Sequence, residues 1–172
     1  MKVVNKRMIK KAILPVAGLG TRFLPASKAI PKEMVTVVDR PAIEYVAKEA
    51  VAAGIEQIIL VTHSSKASIE NYFDRNFELE TVLEQKNKFD LLKEITEILP
   101  ENISVVSVRQ PQPLGLGHAV LCAKSIVGDD DFAVLLPDVL VKDTDERNDL
   151  SVMIERYIMA KAAQFMVEAV PE

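Results

Sequence analysis

The sequence predicts an α/β fold: a Rossmann-like, doubly wound and mostly parallel sheet with helices on both faces. Short apolar segments alternate along the chain with segments whose apolar residues recur at helical spacing. The short segments are apolar throughout, which is typical of strands buried on both faces of a parallel sheet. The chain has 172 residues, so we expect residues 1–172 to belong to a single domain.

Five short apolar segments are predicted strands. In chain order they are Lys11–Val16, Gln57–Thr62, Ile103–Val108, Phe132–Leu136 and Gln164–Val170. In doubly wound sheets, ligands bind beyond the carboxyl ends of the strands. We therefore expect the loops that leave the first four strands to carry the function.

The helices between these strands are predicted from their start and stop signals. The first helix begins with Pro41 as its first residue and ends at Gly54, a C-cap glycine. The later signals are Ser64 or Ser65 as a cap, Pro100 as the stop of the charged helical stretch from Phe73 to Leu99, a helix over Gly115–Ile126, and Asn148 or Asp149 as a cap.

Composition and charge exclude several classes of protein. The chain has 21 Lys and Arg against 25 Asp and Glu, a net charge of −4, whereas a nucleic-acid-binding protein needs a basic face. Two His and one Cys argue against a Cys/His zinc site and exclude a disulfide within the chain. No uncharged apolar stretch approaches the ~20 residues of a membrane helix. We expect a cytoplasmic protein without nucleic-acid or membrane partners.

The loop after the first predicted strand has the composition of a phosphate-binding site. It reads Ala17-Gly18-Leu19-Gly20-Thr21-Arg22, and Lys28 and Lys32 follow it closely. The two glycines let backbone N–H groups approach an anion. The cationic side chains can hold the charge of that anion. A triphosphate requires this combination of backbone donors and cations.

Two familiar phosphate-binding motifs are excluded at this loop. A Walker A loop requires a Lys directly after its last glycine, and Thr21 follows Gly20 instead. The dinucleotide fingerprint requires a third glycine where Phe23 stands. The missing glycine and the proline-rich continuation of the loop argue against a dinucleotide-binding dehydrogenase.

Several separate blocks of the sequence form a recognisable series. In chain order they are Gly18-Leu19-Gly20-Thr21-Arg22-Phe23-Leu24-Pro25, Lys28-Ala29-Ile30-Pro31-Lys32-Glu33-Met34, Val61-Thr62-His63-Ser64-Ser65-Lys66, Arg109-Gln110-Pro111, Gly115-Leu116-Gly117-His118-Ala119-Val120 and Leu136-Pro137-Asp138-Val139. Together they resemble the signature of sugar-1-phosphate nucleotidyltransferases and, more closely, the bacterial UTP–glucose-1-phosphate uridylyltransferase (UDP-glucose pyrophosphorylase) family. The resemblance begins near Lys11 and runs to the end of the chain.

The resemblance implies a reaction in which UTP and glucose 1-phosphate give UDP-glucose and pyrophosphate. It implies that Arg22 holds the departing pyrophosphate and that Lys32 contacts phosphate oxygens near the reacting centre. The residues that it assigns to nucleotide binding are Ala17, Gly18, Gly20, Thr21, Glu33, Gln110 and Gly115, with Gln110 and Gly115 on the uracil edge. The alternative is that Arg22 and Lys32 are ordinary surface cations, which their place in this loop disfavours.

Asp138 is the candidate ligand for a metal ion. It follows the fourth predicted strand, where a carboxylate can hold a Mg²⁺ ion that bridges phosphates. The resemblance likewise implies that this aspartate binds Mg²⁺. The alternative is a turn residue after Pro137. The roles of His63 and His118 stay open, and Cys122 is expected to pack in the core.

The family's chains are longer than this sequence, so we expect it to hold the nucleotide-binding portion of a nucleotidyltransferase domain without the sugar-binding portion. We expect weak activity from these residues alone, and a homo-oligomer. Two other functions stay open: a non-catalytic nucleotide-binding or regulatory homologue, and a thymidylyltransferase, since Gln110 can pair equally with uracil and thymine.

Overall fold

The computed structural model describes residues 8–141 and 148–167. The strands in these residues are β1 (Lys11–Pro15), β2 (Thr36–Val37), β3 (Arg40–Pro41), β4 (Gln57–Thr62), β5 (Ser104–Arg109) and β6 (Phe132–Val134). The α-helices are α1 (Ala42–Ala52), α2 (Ala67–Phe73), α3 (Phe77–Gln85), α4 (Phe89–Thr96), α5 (Leu116–Cys122), α6 (Lys124–Val127) and α7 (Asp149–Ala160).

Four of the strands form a parallel sheet in the order β5-β4-β1-β6. The chain moves outward from β1 through β4 to β5, and then returns to the opposite side of β1 for β6. The strand order therefore reverses between β1 and β6, and in such folds ligands bind at the carboxyl edge of the sheet at this point. Strands β2 and β3 form a separate antiparallel hairpin before α1.

The sheet is buried because its two faces are covered by different helices. Leu14 and Leu60 face one apolar cluster, to which α1 contributes Ile43, whereas Ile13 and Ile59 face a second cluster with α5 and α6. Successive side chains of a strand point to opposite faces, so strands covered on both sides must be apolar at every position. The predicted fold class is thereby confirmed.

A buried carboxylate ties the helices on the α1 side together. Glu44 of α1 is 1% exposed, pairs with Lys48 at 2.6 Å and accepts a hydrogen bond from the Tyr72 hydroxyl of α2. Burial, followed by this contact with Glu44, raises the pKa of Tyr72. The phenol therefore stays protonated and keeps donating to the carboxylate.

Several predicted boundaries are correct. The Asn148 side chain caps α7 by accepting from Ser151 N at 3.0 Å, and Gly54 ends the first helix with a φ of +89°.

Two other helix boundaries differ from the prediction. Pro41 was expected inside the first helix, but it is the cap residue that precedes Ala42. The segment Gly115–Ile126 was predicted as one helix and forms two, which meet at Ala123.

Other predicted elements are wrong. Ser64 and Ser65 do not cap a helix but lie in a 3₁₀ turn, in which the Ser65 amide donates to the side chain of His63. The charged stretch 73–99 contains α3 and α4 and becomes irregular after Thr96, before Pro100. The fifth predicted strand, Gln164–Val170, is irregular at 164–167, and its remaining residues lie outside the described ones. Its apolar residues are exposed there, and no strand among residues 8–141 and 148–167 pairs with them.

Within the described part of the chain, none of the helices is both long enough and apolar enough to cross a bilayer. The longest described helix, α7, has 12 residues. A membrane span needs ~20.

The buried sheet predicts a large loss of stability in the Ile59→Ala variant. Ile59 is fully buried, so truncation leaves a cavity, and we expect the free energy of unfolding to fall by about 2–5 kcal/mol. Leu121→Ala, at a position on α5 that is 61% exposed, is expected to change it by less than about 1 kcal/mol. Urea unfolding of both variants measures the difference, and equal losses would contradict this packing.

Candidate active site

The loop that leaves β1 folds back on itself at Gly20. Gly20 has a φ of +66°, a left-handed conformation that side chains disfavour. A Cβ atom there would lie 3.2 Å from the Cβ of Ser27 and 3.5 Å from the side chain of Lys32. The Ser27 hydroxyl also donates to the Gly20 carbonyl at 2.7 Å. The glycine is therefore required both by the backbone conformation and by this close approach.

The groups predicted to bind phosphate lie on the open surface of this loop. Ala17 is buried at the end of the first strand, whereas Gly18 and Thr21 are exposed. Arg22 is also exposed, in the 3₁₀ turn Thr21–Phe23, so its guanidinium faces solvent beyond the carboxyl edge of the sheet. This arrangement leaves backbone N–H groups and a cation available to an anion.

Lys32 and Asp138 meet beyond the carboxyl ends of β1 and β6, where the strand order reverses. The Lys32 Nζ atom lies 2.5 Å from Asp138 Oδ2, although the two residues are 106 positions apart. Their side chains are 17% and 36% exposed. The contact joins the loop after β1 to the segment after β6, and it brings together the predicted catalytic lysine and the predicted metal ligand.

A buried ion pair lies beneath the same loop. Glu33 is fully buried, and its Oε2 accepts from Lys66 Nζ at 2.9 Å, with the lysine side chain only 6% exposed. Within residues 8–141 and 148–167, the other carboxylate oxygen of Glu33 has no hydrogen-bond partner. Met34 packs against the apolar core on the α1 side. Glu33 and Met34 thus hold the turn Lys32–Met34 from below.

Lys66 is a residue whose part in the site the sequence reasoning missed. It lies after β4, and its block of sequence was recognised only as part of a resemblance. Glu33, in turn, was predicted to bind nucleotide, but it lies beneath the loop rather than on the open surface. Its contact with a nucleotide stays a prediction.

Gln110 and Gly115 form the second half of the candidate site. The strand pairing continues past β5, because Gln110 N donates to Thr62 O at 2.9 Å. The Gln110 side chain is buried and its Nε2 lies 3.1 Å from both the Gly115 carbonyl and His118 Nδ1. These contacts close the loop 110–115. Gly115 is exposed with a φ of +89°, which starts α5 in a conformation that favours glycine.

Asp138 has the donor chemistry that a hard divalent cation prefers. In the described part of the chain, no group of three or more His, Cys, Asp or Glu residues is arranged to hold a metal ion. Mg²⁺ needs no such group, because it commonly binds one or two carboxylates and completes its octahedron with phosphate oxygens and water. The carboxylate of Asp138 already faces a cation, the Lys32 ammonium. The residues therefore fit a Mg²⁺ ion that also binds phosphate.

Asp130, His63 and Cys122 lie near the sheet and have partners of their own. The turn Asp129–Asp131 approaches Lys11, whose Nζ lies 2.7 Å from Asp130 Oδ2. His63 Nδ1 accepts from Ser65 N at 3.5 Å in the turn after β4. Cys122 was expected in the core and packs, partly buried, against the cluster on the α5 side.

Comparison with known proteins identifies the family. Residues 11–172 match the family model described as nucleotidyl transferase, so the chain belongs to the nucleotidyl transferase family. The enzymes of this family generally use a divalent metal ion.

Among curated proteins, the chain is similar to two UTP–glucose-1-phosphate uridylyltransferases. It is 55% identical to that of Haemophilus influenzae over 165 residues, which are 94% of this chain and 56% of the relative. It is 51% identical to one from Escherichia coli (strain K12) over 175 residues, which are 100% of this chain and 58% of the relative. The chain thus spans little more than half the length of the curated relatives it matches.

Solved structures have the same fold. UTP-bound UGPase from Acinetobacter baumannii is 84% identical, with a TM-score of 0.93, and the match covers 95% of this chain and 57% of that one. A UDP-glucose pyrophosphorylase complexed with UDP-glucose is 42% identical, with a TM-score of 0.76 and coverage of 90% and 55%.

Lys66→Met tests the buried ion pair. The variant leaves the Glu33 carboxylate buried without a counterion, so we expect the free energy of unfolding to fall by about 3–5 kcal/mol. The double variant Glu33→Leu/Lys66→Met removes both charges and is expected to recover most of this loss.

The matched control is Lys93→Met, which breaks an exposed pair with Glu97 at 3.8 Å. Exposed pairs contribute about 0–1 kcal/mol, so we expect almost no change. Guanidinium unfolding compares the three variants with the unaltered chain. If Lys66→Met unfolds at the same guanidinium concentration as Lys93→Met, the buried pair does not support the loop.

Proposed function

We propose that the protein to which this chain belongs transfers UMP from UTP to glucose 1-phosphate and releases pyrophosphate. The observation that carries the proposal is the contact between Lys32 and Asp138 at the carboxyl edge of the sheet. It lies beside a loop rich in anion-binding groups, in a chain that is 84% identical to a protein described as UTP-bound.

The proposed reaction is an in-line transfer at the α-phosphorus of UTP. An oxygen of the sugar phosphate forms a bond to that phosphorus, and the bond to the bridging oxygen of pyrophosphate breaks. No enzyme nucleophile is needed, because such transfers depend on alignment and on neutralisation of phosphoryl charge. The contribution of this chain is therefore to bind and orient.

Each predicted residue has a place in this scheme. The exposed Arg22 holds the departing pyrophosphate, and the backbone of Ala17, Gly18, Gly20 and Thr21 binds the nucleotide. Lys32 exchanges its contact with Asp138 for a phosphate oxygen near the reacting centre. Glu33 and Lys66 support the turn from which Lys32 projects. Gln110 and Gly115 bind the uracil edge.

We assign Mg²⁺ as the divalent metal and Asp138 as its ligand in this chain. When bound, the ion supplies positive charge to the phosphate oxygens. The support is the donor chemistry of Asp138 and its position beyond β6. We also propose a cytoplasmic homo-oligomer that acts on soluble substrates. We expect weak turnover by residues 1–172 alone, because they span 58% of a curated relative.

Titration calorimetry with nucleotides tests the binding site. With Mg²⁺ present, we expect UTP to bind and NAD not to bind, and dTTP tests the thymidylyltransferase alternative. Arg22→Ala removes charge-assisted hydrogen bonds that contribute about 1.5–3 kcal/mol, so UTP affinity should fall about 10- to 150-fold. The control is Arg156→Ala, at an exposed position of α7, which should bind UTP normally. Binding of NAD but not UTP would overturn the proposal.

The role of Asp138 is tested by the metal dependence of UTP binding. We expect Mg²⁺ to strengthen UTP binding to the unaltered chain and to have little effect on Asp138→Asn, because a neutral amide is a poorer ligand for a hard cation. Asp131→Asn, just before β6 at the opposite edge of the sheet, is the matched control and should keep the full Mg²⁺ effect. An undiminished Mg²⁺ effect in Asp138→Asn would contradict the assignment.

A further inference from the structure

The side-chain amide of Gln110 has a defined orientation. Its Nε2 atom lies 3.1 Å from the Gly115 carbonyl oxygen. A carbonyl oxygen accepts hydrogen bonds and cannot donate them, so the end of the amide that faces it must be the NH₂ group. One hydrogen of this group is therefore used by Gly115.

The second hydrogen of this NH₂ group determines which ring nitrogen of His118 accepts a hydrogen bond. Nδ1 of His118 lies 3.1 Å from Gln110 Nε2, which can donate hydrogen bonds but cannot accept them. Nδ1 therefore accepts this hydrogen bond, which places the ring proton on Nε2. The Sγ atom of Cys122 lies 4.0 Å from Nδ1 and 3.9 Å from Nε2, so it does not distinguish the two ring nitrogens.

These two contacts leave the amide oxygen of Gln110 for a ligand. Within residues 8–141 and 148–167, no group donates a hydrogen bond to Gln110 Oε1, and none accepts one from Gly115 N. The site thus offers one acceptor, the Gln110 oxygen, and one donor, the Gly115 N–H.

This pattern discriminates between pyrimidine bases. Uracil and thymine have an N3–H donor beside a carbonyl acceptor, which complements an amide oxygen and a backbone N–H. Cytosine has an N3 acceptor beside an amino donor. Its N3 would face the Gln110 oxygen, also an acceptor, and its amino group would face the Gly115 N–H, also a donor. Gln110 is buried, so its amide oxygen would lose its hydrogen bond on facing the N3 acceptor of cytosine, and the site disfavours that base.

We propose that His118 is the positioning residue that holds the Gln110 amide with its oxygen toward the base, and that it thereby selects uracil and thymine over cytosine. The proposal rests on the proposed function, in which Gln110 and Gly115 bind the base. His118 acts through Gln110 and does not itself touch the nucleotide. His118 lies in the first turn of α5, three residues after Gly115. The segment 110–118 therefore supplies Gln110, Gly115 and His118 together.

Two substitutions separate the acceptor role of His118 from its bulk. His118→Phe fills the same space without an acceptor, so the Gln110 amide loses one of its two restraints. His118→Asn places an amide oxygen near the position of Nδ1 and can still accept from Gln110. Titrations with UTP and CTP then measure the affinity ratio for the unaltered chain and both variants. The loss of one hydrogen bond should lower the ratio about 2- to 10-fold in His118→Phe. His118→Asn should retain it.

A measurement on the ligand-free chain tests the orientation directly. In the unaltered chain, ¹⁵N NMR of the imidazole should show a proton on Nε2 and an unprotonated Nδ1. The side-chain NH₂ of Gln110 should show protected hydrogens. A proton on Nδ1 would overturn the inference, whatever the nucleotide affinities are. This test does not depend on whether either variant folds.

The remaining outcomes separate this inference from the proposed function. If the unaltered chain prefers UTP to CTP and His118→Phe keeps the same ratio, the inference is wrong while the proposed function stands. If His118→Asn loses discrimination as far as His118→Phe does, an acceptor at this position is not what matters, and the inference again fails. If the unaltered chain binds UTP and CTP equally, both the base assignment of the proposed function and this inference fail.

Discussion

The arrangement of the site depends on β1 being paired on both sides. Its neighbours β4 and β6 are both parallel to it, so all three strands deliver their following loops to one edge. β6 lies on the opposite side of β1 from β4, so the strand order reverses there. In open α/β sheets ligands bind at the carboxyl edge at such a point. The polar groups of the candidate site lie at this edge, while the faces of the sheet are apolar.

The loop after β1 must present several cations without collapsing onto the sheet. Two devices support it from below: the close approach of Gly20 to Ser27, and the buried pair of Glu33 with Lys66. Burial of charge costs free energy, which the attraction within an ion pair only partly offsets. Such a pair therefore fixes the conformation of the loop more than it stabilises the fold. In this protein the pair fixes the turn from which Lys32 extends. The Lys32 side chain is then positioned to reach Asp138.

The fold class and the main strands were predictable because they follow from local pattern. Apolar segments such as 57–62 have no other means of burial than a sheet covered on both faces. Caps such as Asn148 are equally local, since a short side chain bonds to a backbone amide three residues away. The same local logic failed for Gln164–Val170. Apolar residues form a strand only when a neighbouring strand pairs with them, and residues 164–167 have no such neighbour in the described structure.

The sequence by itself determined the types of group in the candidate site and the edge of the sheet at which they lie, because strand direction and loop order follow from the chain's pattern. Only the tertiary structure decided which of these groups meet. Lys32 reaches Asp138 across 106 residues, and Glu33 is buried against Lys66 rather than exposed on its loop. The orientation of the Gln110 amide likewise depends on neighbours that the fold supplies. Such contacts are set by side-chain packing between distant segments, which periodicity and spacing do not encode.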